Sequence, residues 1–152
     1  QKNEKYVLNS FTIYGNIKTT MPGSLTIADN YNDETGEFVL DYDYNAPSAE
    51  HLAKTHEPFF KAVRKANPDV PVIMLSKCSW ISPARRDIIK KTYDNAVRGG
   101  DKNVWFIDGQ ELFGEPGQNM CTVDHCHPND LGFYMMYRRV LPVLLEALKS
   151  QK

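Results

Sequence analysis

Phe38-Val-Leu-Asp-Tyr-Asp43 decides the architecture: a short apolar run that turns polar at its carboxyl end. A strand buried on both faces needs unbroken apolar residues, and its carboxyl end is where a parallel sheet delivers polar side chains to a site. Two further runs of this kind follow, Val72-Ile-Met-Leu-Ser76 and Val104-Trp-Phe-Ile-Asp108. Helical patterns separate them. After the turn Asn45-Ala-Pro-Ser48, Ser48 caps a helix running to about Ala66, with Leu52, Phe59, Phe60 and Val63 on one face. Pro58 inside that helix predicts a kink or a restart near Thr55. Asn67-Pro-Asp-Val-Pro71 turns the chain into the second strand, and Ser82-Pro83 reads as the cap and first residue of a helix that Gly99-Gly100 ends. Gly109 to Met120 reads as a polar loop. The closing helix, from Pro128 to about Lys149, has Leu131, Met135, Leu141, Leu145 and Leu148 as its apolar face and Pro142 inside it.

Strands alternating with helices long enough to cross over predict an α/β protein, a three-layer α/β/α sandwich around a mostly parallel sheet. The 152 residues fit one domain, 1–152, with a βαβαβα core over 37–149 and an atypical segment over 1–36. In that segment Tyr6 to Tyr14 favours a strand, and Asn30-Tyr-Asn-Asp-Glu-Thr-Gly36 suits a hairpin loop between Leu25–Ala28 and Glu37–Asp43. Gln1 in place of methionine suggests a processed or trimmed product, and the sequence does not name a compartment. A net charge of -1, with lysine and arginine scattered along helices, argues against a nucleic-acid partner. No apolar run approaches the ~18 residues of a membrane span.

Parallel sheets gather their sites at the carboxyl ends of the strands. Asp41, Asp43 and Asn45 lie at one such end, Ser76 at the second and Asp108 at the third. Asp41-Tyr-Asp-Tyr44 suits a pocket lining or a strand end packed on the following helix, and both readings stand. Ahead of the closing helix comes Cys121-Thr-Val-Asp-His-Cys-His127-Pro-Asn-Asp-Leu-Gly-Phe133. Asp124 lies three residues before His127, so its carboxylate can accept Nδ1–H and leave Nε2 as a general base. Cys121 and Cys126 bracket Asp124 and suit a small disulfide ring, with Cys78 left as a buried or half-buried thiol. Cys121, Asp124, His125, Cys126 and His127 are all potential metal ligands, but a zinc site ordinarily needs a second, distant pair, so no metal is expected. His51 and His56 are expected to face solvent, and Trp105 to belong to the core.

From about Phe38 to Leu148 the chain resembles the SGNH/GDSL hydrolases, serine esterases and acylhydrolases on a flavodoxin-like sheet. Asp124-His-Cys-His127-Pro is similar to that family's Asp-x-x-His-Pro signature, in which the histidine is base and the aspartate orients it. Phe38-Val-Leu-Asp-Tyr-Asp-Tyr-Asn45-Ala-Pro sits where the family keeps an oxyanion-hole asparagine, and Asp101 to Gly114 resembles the strand and loop leading to the acid–base segment. The resemblance implies His127 as base, Asp124 as its partner and Asn45 as oxyanion donor, while Asp43 and Tyr44, beside Asn45 at the strand end, are candidate substrate-binding residues. It implies no cofactor, and a small ester as substrate, such as an acetyl group on a carbohydrate.

The amino-terminal quarter departs from the family pattern. Ile13-Tyr-Gly-Asn-Ile17 follows the first strand but carries Ile17 where the nucleophilic serine belongs, whereas Gly23-Ser24-Leu25 carries a serine after Pro22 instead of after a strand. Ser24 is therefore the candidate nucleophile. The alternative is a relative that keeps the scaffold, lacks the nucleophile and serves binding or assembly. Missing sheet-covering elements would be offset by a hairpin or by a homodimer. A flavodoxin-like ligand-binding domain is disfavoured, because no glycine-rich phosphate loop follows a strand.

Overall fold

The computed structural model describes residues 38–78, 82–115 and 117–150. The expected strand and hairpin of the first 36 residues, with Ser24, lie outside the described residues. Among the described residues, three parallel strands form one sheet in the order β1-β2-β3: β1 Phe38–Leu40, β2 Val72–Leu75 and β3 Val104–Ile107. Phe38 pairs with Val72 and Val72 with Val104, so the three runs start in register and end on one edge.

The alternation of side chains along each strand divides the core in two. Phe38, Leu40, Val72, Met74 and Val104 face α1 (Ala49–Ala66) and α2 (Pro83–Arg98). Ile73, Leu75 and Ile107 face the other way, onto α4 (Asp130–Lys149). Helices on both faces of a parallel sheet make the α/β sandwich read from the sequence.

Ser48 caps α1 by accepting the His51 N–H at 3.1 Å, an interaction worth about 1 kcal/mol. The helix runs unbroken through Pro58, without the restart expected near Thr55. Pro58 removes one backbone donor, and packing of Leu52, Phe60 and Val63 against the sheet holds the helix across the gap. His56 is buried at 1 % exposure, contrary to expectation, because it shares the face of Leu52 and Phe60. Its Nδ1 lies 2.9 Å from Thr92 Oγ1 on α2, and its ring stacks on Tyr42.

The closing helix differs from its sequence reading in two ways. It starts at Asp130, capped by Asn129, whose Oδ1 accepts the Gly132 N–H at 3.0 Å. Its packed face carries Gly132, Met135, Met136, Val140, Val143, Leu144 and Ala147, while Leu131 and Leu145 are exposed. Close approach decides this face. A Cβ at Gly132 would lie 2.1 Å from the Cys121 carbonyl oxygen, so the helix turns Gly132 inward at its start and its neighbour Leu131 outward. Trp105 is half-buried on the α4 side, its indole N–H donating to Glu146 Oε1 at 3.4 Å. The expected loop over 109–120 contains a 3-10 turn, Gly109–Glu111, and the start of a one-turn helix α3, Gln118–Cys121.

Candidate active site

Beyond β1 the chain makes a 3-10 turn, Asp43–Asn45, which tertiary contacts hold in place. Asp43 is buried, and its Oδ2 accepts the Lys77 backbone N–H at 3.0 Å just past the end of β2. Arg85, near the start of α2, donates to the carbonyl oxygens of Asp43 and, at 2.9 Å, of Ala46. Burial raises the Asp43 carboxyl above its ordinary value, while the Lys77 N–H and Arg85 oppose the rise. Asp43 therefore braces the turn from within and does not line the cavity beside it. Asn45 and Tyr44 do line it.

The facing wall comes from the segment between α3 and α4. Thr122 bridges to Pro128, and the Val123 N–H donates to the His127 carbonyl at 3.0 Å, which closes a tight loop. His125 at its tip has φ 60°, a left-handed conformation uncommon outside glycine, asparagine and aspartate. Asp124 organises the loop. Its Oδ1 accepts the backbone N–H groups of Cys126 at 2.9 Å and His127 at 2.7 Å, and its Oδ2 lies 2.6 Å from His127 Nδ1. These bonds to His127, the backbone one first, hold the Asp124 carboxyl down to about 2. The carboxylate is charged at neutral pH and fixes the ring tautomer with Nδ1 protonated, leaving Nε2 as the acceptor.

The cavity between the walls has a volume of about 440 Å³ and opens at the carboxyl ends of β1 and β2. Asn45, Tyr44 and His127 meet around it, with Asp41, Ser76 and Lys77 on the same lining. Lys77 spans the walls: its Nζ sits 3.0 Å from the centre of the Tyr44 ring and 3.0 Å from Cys126 Sγ. The two cysteines that bracket Asp124 are free thiols and form no ring, Cys121 buried behind the loop and Cys126 half-buried on the cavity. Cys78 is buried, and burial pushes its thiol up to about 11.

Asp124, Cys126 and His127 place three potential metal ligands within 4.8 Å of one another. Both Asp124 oxygens are already engaged within the loop and the Lys77 ammonium contacts the sulfur, so this donor set is committed elsewhere.

The remaining strand-end residues brace the floor. Ser76 is buried, its Oγ accepting the Gly109 N–H at 2.8 Å. Asp108 pairs with Arg86, which lowers its carboxyl below the ordinary value, and its Oδ1 accepts the Gln110 N–H at 3.1 Å. Lys77 and Arg85 escaped the sequence reading: nothing local distinguishes a lysine after a strand or an arginine on a helix, and only the crossovers bring them to Asn45.

The sequence profile of the GDSL-like lipase/acylhydrolase family matches residues 26–145. No curated protein matches the chain. Among solved structures, it is similar to a crystal structure assigned as a GDSL-like lipase from Bacteroides ovatus, at 26% identity and a TM-score of 0.64 over 74% of this chain. The salicylyl-acyltransferase SsfX3 of a tetracycline biosynthetic pathway shares the fold, at 17% identity and a TM-score of 0.51 over 69% of this chain. Each match covers 36% of the solved chain, so this chain spans about a third of their length. With its parallel sheet and the profile running across both cavity walls, the chain belongs to the GDSL-like lipase/acylhydrolase family.

Proposed function

We propose that the chain hydrolyses small esters as an SGNH-type serine hydrolase, an acetyl group on a carbohydrate being one such ester. One observation supports this above others: Asp124 holds the His127 ring at 2.6 Å on a cavity that Asn45 also lines. In this reading His127 Nε2 takes the proton of the attacking hydroxyl and later returns one to the leaving alcohol. Asp124 stabilises the imidazolium formed in between. Asn45 donates to the oxyanion, an interaction of about 2.7–4 kcal/mol in comparable sites. Tyr44 flanks the substrate. Ser24 supplies the nucleophile, and no cofactor is required for these steps.

The second reading, a scaffold without nucleophile used for binding or assembly as a homodimer, rests on Ile17 at the position expected for the serine. Turnover of short-chain nitrophenyl esters by the wild type and by His127→Ala separates the two. The hydrolase reading expects a fall of about 10²–10⁴-fold in the variant. Equal rates in both proteins would leave the binding reading.

A further inference from the structure

Asp41 is a cavity residue that neither the acid–base pair nor the oxyanion donor explains. It follows Leu40 in β1, and alternation puts it on the side of Val39, facing α4 and the acid–base loop. It lines the 440 Å³ cavity together with Asn45 and His127. The neighbouring carboxylates are all satisfied: Asp43 by Lys77 N–H, Asp108 by Arg86 and Asp124 by its own loop. Asp41 is half-buried, and no donor among the described residues reaches it. A desolvated carboxyl without a donor is costly to maintain unless a ligand supplies one.

We infer that Asp41 is the recognition group for the alcohol portion of the substrate, accepting a hydrogen bond from a free hydroxyl near the scissile ester. This rests on the hydrolase reading and narrows it to esters of polyols, as opposed to simple alkyl or aryl esters. The surroundings fit a hydroxyl. Lys77 and Cys126 are paired with each other, Arg85 is spent on carbonyls, and Asp43 is spent on the Lys77 N–H. Burial first, then Asp43, raises the Asp41 carboxyl to about 6. A bound hydroxyl favours the charged form and lowers that value.

The test compares glyceryl monoacetate, which carries free hydroxyls, with 4-nitrophenyl acetate, which has none, on the full chain. Asp41→Ala is expected to lower the ratio of their kcat/KM values by about tenfold or more, as loss of one hydrogen bond to a charged group implies. Asp41→Asn, which keeps an acceptor oxygen, falls between. Binding is read separately by ¹³C NMR of the Asp41 carboxyl in His127→Ala: its titration near pH 6 moves to lower pH with glyceryl monoacetate. An unchanged ratio with an unmoved titration overturns the inference while leaving the hydrolase reading intact. If His127→Ala hydrolyses both esters at the wild-type rate, the hydrolase reading fails, and the titration alone decides the role of Asp41.

Discussion

The two walls of the cavity are built by opposite means. The acid–base wall is local: its key bonds join residues three apart or less, Asp124 to Cys126 and His127. The Asn45 wall is tertiary, held by Lys77 just past the next strand and Arg85 from the next helix. A local device keeps its geometry as long as its own loop closes, whereas a tertiary one depends on the whole sandwich. Conditions that loosen packing should therefore disable Asn45 before they disturb Asp124 and His127.

The largest expected effect falls under the Asn45 wall. His56 stacks on Tyr42, the residue that enters the turn, and burial holds its ring down to about 4 against an ordinary 6.5. The unfolded chain takes up a proton that the folded chain resists between those values. Stability is full above about pH 6.5, declines as pH falls through the window and levels off below 4, a loss of about 3 kcal/mol. Urea unfolding at several pH values measures the slope, and His56→Gln should flatten it.

Next comes Arg85→Ala. It frees two carbonyls of the Asn45 turn and should lower stability by about 1.5–3 kcal/mol while depressing kcat more than KM. A variant with unchanged kcat would show that the turn holds Asn45 unaided. On the local wall, Gly132→Ala forces a Cβ towards the Cys121 carbonyl, which shifts the base of the loop. Overpacking of this kind costs about 1–3 kcal/mol, read by thermal unfolding. The smallest effect belongs to His125→Gly, which relieves the left-handed tip: stability rises by less than about 1 kcal/mol and ester turnover stays within about twofold.

The same contrast explains what the sequence disclosed. The strands and the pairing of Asp124 with His127 are written in contiguous residues, so period and spacing suffice to find them. The strand-end position of Asn45 is legible from the pattern and its oxyanion role from family likeness, but its supports are not, because Lys77 and Arg85 reach its turn only across chain crossovers. Asp43 sits in the motif beside Asn45 yet points inward, a matter of turn geometry that residue type does not encode. Hydrophobicity likewise places Leu131 on the packed face of α4, whereas the fold places Gly132 there, since backbone approach outranks side-chain size where a helix meets a carbonyl. The buried His56 follows from helical phase, four residues after Leu52 and four before Phe60.

Incubation of the full chain with a fluorophosphonate, followed by intact mass and peptide mapping, tests the central claim most directly. The account predicts one adduct, on Ser24, that forms in the wild type and is lost in His127→Ala. A chain that stays unlabelled at saturating reagent, or labels equally without His127, would contradict it.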